Sequence, residues 1–377
     1  MKRLGLYIHI PFCIQKCYYC DFNSYSGLEY VKGDYVDCLI KEMYLYKDKL
    51  DNIIVDTVYI GGGTPTCLEE TQLENILRNC FDTFKINANC EVSIESNPGT
   101  LSRKKLRVLK QCGVNRLSIG LQSWDDMQLK ALGRIHSKNQ FLENYYTARQ
   151  EGFHNINIDL MFSLPGQDLE QWQVTLNNVI QLGPEHVSCY ALKIEEGTKF
   201  YDDYHNNRLH LPDEETDRSM YDKAVQMLTH HSYNHYEISN FAKKGFECRH
   251  NLIYWKAKEY IGIGAGAHSY LNGERYSNIN SPQEYIKQTG QNNFPIAEKI
   301  QLNIEDKMSE YMFLGLRLLE GISAQEFLER FNIDLNSVFG NQLNKFVRLG
   351  LVEQQGDKYR LTRRGLDVSN QIFVEFI

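Results

Sequence analysis

The stretch Tyr7-Ile8-His9-Ile10-Pro11-Phe12-Cys13-Ile14-Gln15-Lys16-Cys17-Tyr18-Tyr19-Cys20 governs how the rest of the chain is read. Residues 4–10 (LGLYIHI) are apolar and β-branched, the signal of a strand. Cys13, Cys17 and Cys20 follow in the loop directly after it, spaced C-x3-C-x2-C. Three thiols so close in a polar, aromatic-rich loop point to a shared metal centre rather than to three unrelated core cysteines. A structural zinc site takes four ligands, usually as two separated pairs, and here would need a remote fourth. A cubane iron–sulfur cluster suits the spacing better, because each thiolate holds one iron corner. Three cysteines leave the fourth iron open to a substrate or cofactor.

Outward from this loop the chain alternates strand and helix. Strands are predicted over 55–60, 91–95, 116–121, 156–162 and 186–192. Helices are predicted over 29–50, 68–84, 102–112, 139–151 and 169–182. Such alternation predicts a parallel α/β architecture, and periodicity alone leaves an open sheet and a barrel both in play. Beyond residue 198 come a helix over 213–231, a strand over 233–238 and a glycine-rich run at 262–267. Residues 278–303 are polar and read as a boundary. Helices over 307–319, 324–331 and 335–349, then a hairpin (352–355 and 358–361) turned at Gly356-Asp357, outline a winged helix. The expected division is a core over 1–232, a connecting segment over 233–303 and a small C-terminal α+β domain over 304–377.

Composition narrows the function. The 377 residues are 42% hydrophobic, with 24 Tyr and 18 Phe, so a large folded core is expected and disorder is not. The net charge of −7 leaves no basic surplus for a phosphate backbone. In the winged-helix outline, Arg360, Arg363 and Arg364 are diluted by Glu353, Asp357, Asp367 and Glu375, so an interaction or lid-bearing module is expected rather than a nucleic-acid partner. The first apolar run is short and interrupted by His9 and Pro11, unlike a secretory segment. No window reaches the roughly eighteen apolar residues of a membrane span. A cytoplasmic location is expected, with any membrane association peripheral and through a partner. Thiols there stay reduced, so the ten cysteines form no disulfide framework. Cys38, Cys80, Cys90, Cys112 and Cys189 read as ordinary thiols, and Cys67 takes no role.

Polar residues collect where the strands end: Gly61-Gly62-Gly63-Thr64-Pro65-Thr66, Glu95, Gln122 and Asp159, the last interrupting INIDLMF. Gathered at one end of a parallel barrel, they have the layout of an active site. At this point the sequence resembles the radical SAM superfamily, whose mark is the C-x3-C-x2-C loop after the first strand. The resemblance implies a partial (βα)6 TIM-like barrel. It also implies a [4Fe–4S] cluster whose open iron is chelated by S-adenosylmethionine, and an electron that cleaves the sulfonium to a 5′-deoxyadenosyl radical. Tyr19 matches the aromatic that packs near the adenine.

The resemblance is closer still to the oxygen-independent coproporphyrinogen III oxidase group. It runs through Tyr7–Cys13, Gly61–Thr66, Ser93-Ile94-Glu95, Ile119–Ser123, Ile158-Asp159-Leu160 and Leu164-Pro165-Gly166. It implies S-adenosylmethionine contacts at Tyr7, Tyr19, Gly62, Gly63, Thr64, Glu95, Gln122, Arg134 and Asp159, with Cys13, Cys17 and Cys20 as cluster ligands. Two departures matter. The oxidase pattern continues to a fourth cysteine, where this chain has Phe22, and the oxidases carry an extension ahead of the first strand. Both differences separate them from the related HemW heme chaperones. Arg249-His250-Asn251-Leu252-Ile253-Tyr254-Trp255 contains H-N-x-x-Y-W, which resembles the heme motif of that family. On this reading His250 offers a nitrogen to iron, Asn251 orients it or bonds a propionate, and Tyr254 and Trp255 pack on the porphyrin. Cys248 is an alternative ligand, though a core thiol is the plainer reading. The resemblance thus implies a heme chaperone without coproporphyrinogen oxidase activity. Its partners would be heme, heme-acceptor proteins such as membrane respiratory enzymes, and a second copy in a monomer–homodimer equilibrium. The alternatives are the oxidase itself and a winged-helix regulator.

Overall fold

Six strands of β-branched and aliphatic residues build the centre of the molecule, and the helices between them return the chain to the same edge. The computed structural model describes residues 2–50 and 52–377. In chain order the first elements are β1 (Lys2–Ile10), α1 (Lys32–Tyr46), β2 (Ile53–Gly62), α2 (Glu70–Thr83), β3 (Lys85–Ser96), α3 (Arg103–Gln111) and β4 (Arg116–Gln122). Next come α4 (Asp126–Ala131), α5 (Lys138–Gln150), β5 (Ile156–Phe162), α6 (Leu169–Leu182), β6 (His186–Ala191), α7 (Lys199–His205) and α8 (Glu214–His230). Strands β1 to β6 lie side by side in sequence order, all parallel.

The six strands share one alternation. Leu6, Ile8 and Ile10, Val58 and Ile60, Val92 and Ile94, Leu117 and Ile119, and Ile158 and Leu160 are buried in the core shared with the helices. The residues between them are polar or glycine: Gly5, Tyr7 and His9, Thr57 and Tyr59, Glu91 and Glu95, Arg116 and Ser118, Asn157 and Asp159. An open doubly wound sheet carries helices on both faces and reads as a continuous apolar run. Here the polar face is itself buried, with Thr57, Arg116, Ser118 and Asn157 all under 4% exposed, so it lines the inside of a sheet curled around a lumen.

The barrel does not close, because β1 and β6 acquire other neighbours. The chain continues through β7 (Asn234–Glu237), β8 (Asn240–Ala242), α9 (Arg249–Trp255), β9 (Tyr260–Ile263), β10 (His268–Leu271), β11 (Glu274–Asn278), α10 (Pro282–Gly290) and β12 (Ile296–Gln301). Strand β8 pairs with β6, and β9 pairs with β1 and leads out to β10, β11 and β12. The segment over 233–303 thus extends both flanks of the same twelve-stranded sheet. Within it, the polar stretch over 278–303 holds a helix and an edge strand. Few apolar residues hold α10, chiefly Tyr285, which is fully buried and donates its hydroxyl to Glu42 on α1. Two adjacent apolar residues, Tyr285 and Ile286, in nine give sequence periodicity little to register.

The C-terminal part has its own core around Met312, Phe327, Phe339 and Leu343. It comprises α11 (Ile304–Gly315), β13 (Ile322–Ser323), α12 (Ala324–Phe331), α13 (Leu335–Arg348), β14 (Val352–Gln355) and β15 (Lys358–Leu361). The winged-helix outline is realised, with β15 central in the small sheet. Two further short helices, α14 (Arg363–Asp367) and α15 (Ser369–Val374), close it. This part meets the barrel where Leu319 N–H donates to Tyr236 O (3.0 Å) and Ile238 N–H donates to Arg317 O (3.2 Å). No helix among the described residues is long and apolar enough to cross a membrane.

Candidate functional site

The loop after β1 is pinned at both ends. Cys13 N–H donates to Tyr25 O (2.9 Å), and Tyr25 N–H donates to Pro11 O (2.7 Å). The neighbouring β2 loop meets it where Thr64 N–H donates to Phe12 O (2.8 Å). That close approach explains Gly63, since a Cβ there would lie 2.6 Å from Phe12 O and 3.0 Å from Cys13 Sγ.

Each of the three thiols has a different polar neighbour. Cys13 Sγ lies 3.6 Å from Thr64 Oγ1, and Cys20 Sγ lies 3.9 Å from Ser24 Oγ. Cys17 Sγ accepts from Arg134 Nη1 at 3.5 Å. Burial pushes the Cys13 and Cys20 thiols up, and the other cysteines of the loop add to this by charge repulsion. No three His, Cys, Asp or Glu side chains among the described residues gather tightly enough to hold a single metal ion. Half-buried thiols in one loop, each with its own polar neighbour, do fit a cluster that takes a separate iron at each sulfur.

Below the loop the lumen is lined from successive strands. Glu95 accepts from Tyr59 OH (2.7 Å) and from Gly62 N–H (3.1 Å). Desolvation raises its carboxyl to about 7. Asp159 accepts from Ser118 Oγ and Asn157 Nδ2, both at 2.8 Å. Tyr7 OH lies 2.9 Å from His9 Nδ1. Arg134 also donates to Asn97 Oδ1 (2.7 Å) and Gly120 O (2.5 Å). Tyr19 packs near Phe200 of α7, with ring centroids 6.5 Å apart. Gln122 ends β4 with φ of 70°. The residues expected around S-adenosylmethionine thus come from the loop after β1, from the upper parts and ends of β1, β2, β3, β4 and β5, and, for Arg134, from the turn between α4 and α5.

The H-N-x-x-Y-W motif lies elsewhere. It forms α9, whose first N–H groups, those of Arg249 and His250, both donate to Glu91 at 3.1 Å. A carboxylate at a helix N-terminus satisfies orphan donors and favours the helix dipole. His250 is 1% exposed, under the lower half of β1 and β2. Its Nδ1 is 2.7 Å from Thr57 Oγ1 and its Nε2 is 2.8 Å from Tyr254 OH. Its ring stacks on Tyr59, with centroids 5.1 Å apart. Desolvation, with Arg116 nearby, lowers its pKa to about 3, so the imidazole is neutral. Trp255 lies beneath the guanidinium of Arg317, 4.4 Å from the ring centroid. Asn251 is half-buried, and Cys248 is fully buried as a core thiol.

Sequence reading missed Thr57, Tyr59, Glu91, Asn97, Arg116 and His186. Five of the six are polar or aromatic positions within β-rich runs, and Asn97 opens Asn97-Pro98-Gly99, a sequence typical of turns. His186 mirrors His250: its Nδ1 meets Asn157 Oδ1 (2.6 Å) and its Nε2 meets Tyr236 OH (2.9 Å).

A split six-stranded parallel barrel with three thiols after its first strand is the architecture of the radical SAM class. Residues 7–179 match the Radical SAM superfamily, and residues 302–368 match the HemN C-terminal domain. That class implies a [4Fe–4S] cluster and S-adenosylmethionine. The solved structure of coproporphyrinogen III oxidase (HemN) from Escherichia coli superposes with a TM-score of 0.87 at 23% identity, covering 100% of this chain and 90% of that one. This likeness establishes the fold alone. The curated protein Heme chaperone HemW of Bacillus subtilis (strain 168) is 38% identical over 98% of both chains. Those of Lactococcus lactis subsp. lactis (strain IL1403) and Escherichia coli (strain K12) are 35% and 33% identical over 100% of this chain and 98% and 99% of theirs. The chain belongs to the HemW family.

Proposed function

We propose that the protein is a heme chaperone. It binds heme at the α9 motif, carries a [4Fe–4S] cluster on Cys13, Cys17 and Cys20, and passes heme to acceptor proteins, membrane respiratory enzymes among them. The observation that carries this reading is kinship along the whole chain with proteins named for that role. Phe22 supports it: the residue at the place of the oxidase's fourth cysteine is 63% exposed and has no sulfur to offer.

S-adenosylmethionine would lie against Tyr7, Tyr19, Gly62, Gly63, Thr64, Glu95, Gln122, Arg134 and Asp159. With the cluster, it supplies one-electron chemistry at an open iron. The chain holds the three thiols in place, offers Glu95 and Asp159 as acceptors for hydroxyl or ammonium groups, and keeps Arg134 ready for a carboxylate. For heme, the neutral state of His250 is the one that can ligate iron. Its Nε2 is engaged by Tyr254, so ligation requires that hydroxyl to give up its bond and α9 to shift. Asn251 would meet a propionate, and Tyr254 and Trp255 the porphyrin face.

One anaerobic preparation tests the reading. After cluster reconstitution, heme binding and coproporphyrinogen turnover are measured side by side. Stoichiometric heme uptake, lost in a folded His250→Ala variant and without turnover, is expected. Production of protoporphyrinogen would overturn the chaperone in favour of the oxidase.

A further inference from the structure

Asn97 sits between two of the three thiols and touches neither. It begins the turn after β3, where Thr100 N–H donates to its carbonyl (3.1 Å). Its side chain has two partners, one from the loop after β2 and one from the turn between α4 and α5. Asn97 Nδ2 donates to Thr64 Oγ1 at 2.7 Å, and Asn97 Oδ1 accepts from Arg134 Nη2 at 2.7 Å. These partners fix which end of the amide is oxygen, because a guanidinium only donates.

The consequence reaches the sulfurs. A threonine oxygen that accepts from Asn97 has its own proton free to point away, and Cys13 Sγ lies 3.6 Å from it. Arg134 is held by Nη2 to Asn97 and Gly120 O, which leaves Nη1 aimed at Cys17 Sγ, 3.5 Å away. Thr64 is only 3% exposed, so no bulk water competes for its hydroxyl. Gly120 is part of the same device: a Cβ there would lie 2.8 Å from Asn97 Oδ1 and 3.0 Å from Arg134 Nη2. One amide therefore aligns two donors on two ligand sulfurs, drawing together the loops after β2 and β3 and the turn after α4.

We propose that Asn97 is a positioning residue for the cluster. Through Thr64 and Arg134 it directs hydrogen bonds onto Cys13 and Cys17, and it thereby holds the cluster's reduction potential up. Donors to ligand sulfur stabilise the more negative, reduced cluster, and hydrogen bonds to the sulfurs are among the factors that set such potentials. The inference rests on the reading that Cys13, Cys17 and Cys20 bind the cluster.

The test uses the full chain, reconstituted anaerobically without S-adenosylmethionine. The one-electron midpoint is followed by electron paramagnetic resonance in wild type, Asn97→Ala, Thr64→Val and Thr64→Ser. Asn97→Ala is expected to lower the reduced-to-oxidised ratio at fixed potential about tenfold, a shift of about 59 mV. Resonance Raman bands of the iron–cysteine bonds should move on transfer to deuterated water in wild type and move less in Asn97→Ala. Thr64→Val should lower the midpoint, and Thr64→Ser, which keeps the hydroxyl, should restore it. A lower melting temperature with an unchanged midpoint would make Asn97 merely structural and overturn the inference. If Asn97→Ala assembles no cluster, the two Thr64 variants decide, and equal midpoints for Val and Ser overturn it. If wild type itself shows no charge-transfer absorption, the cluster reading fails first and takes this inference with it.

Discussion

The two ends of the lumen are built differently. The mouth is made of loops that follow strands, with half-buried thiols, close-packed glycines and the partly buried carboxylates Glu95 and Asp159. The floor is made of strand interiors and α9, with His250 at 1% exposure and both ring nitrogens engaged. At the floor, His250 is reached only after α9 yields. Tyr59 joins the two ends: its hydroxyl goes to Glu95 and its ring stacks on His250. The mouth leaves its thiols half-exposed, and the floor holds His250 buried with both ring nitrogens engaged.

The largest expected effect tests whether the mouth is a cluster site. Cys17→Ser should abolish the cluster's charge-transfer absorption while heme uptake at the floor persists in part. Survival of that absorption would remove the basis of the contrast. Next comes a matched pair of glycines. Gly62 has φ of +114°, and a Cβ would lie 2.5 Å from the His9 ring. Gly62→Ala should cost about 1–3 kcal/mol of stability and weaken S-adenosylmethionine binding, as thermal melts and calorimetry would show. Gly5 faces the floor, where a Cβ would lie 2.7 Å from Ile253 Cδ1 and 3.2 Å from His250 Cε1. Gly5→Ala should leave the mouth unchanged and loosen α9, raising the rate of heme association in stopped-flow absorbance. Equal effects of both glycines on both ligands would show that the ends are not separate.

A gentler probe of the floor is Tyr254→Phe. It removes the hydroxyl from His250 Nε2, costs about 1 kcal/mol, and should speed heme association without altering the cluster. Slower association would mean that the hydroxyl guides heme rather than guards the imidazole.

The mouth was legible in the sequence because its chemistry is local. Cys13, Cys17 and Cys20 fall within eight consecutive positions, and Gly61 to Thr66 sit together after one strand. The floor was only half legible. The motif on α9 stands out, but its clamps, Thr57 from β2 and Glu91 from β3, come from distant strands where each looks like a stray polar residue. The alternation that joins them argues against helices on both faces of an open sheet, and burial of the polar face, visible only in the fold, completes the case for a curled one. Asn97 was illegible for another reason: its role is carried by partners 33 and 37 residues away. The helix and strand over 278–303 were missed because their few apolar anchors, Tyr285, Ile286, Phe294 and Ile296, fall at no regular helical or strand period.

The smallest effect is a difference in slope with pH, in which the two ends should oppose each other. His250 titrates at about 3 when folded and near its ordinary value of about 6.5 when unfolded. Between those values the unfolded state binds the proton, so stability falls as pH falls from about 6.5 toward 3. Glu95 runs the other way, with a folded carboxyl at about 7 and an ordinary value near 4.3. The folded state binds that proton, so its contribution is full at low pH and is lost as pH rises toward 7. At pH 5.5 each group contributes a slope of about 1 kcal/mol per pH unit, of opposite sign. His250→Gln should therefore flatten the acid loss of stability, and Glu95→Gln should steepen it, in denaturant melts of the cluster-free protein. The acid loss will not vanish in His250→Gln, because burial also lowers His9 and His235 to about 4 and His136 to about 3. Slopes that move in the same direction for both variants would mean that mouth and floor titrate as one network through Tyr59, and that the sealed floor senses charge at the mouth.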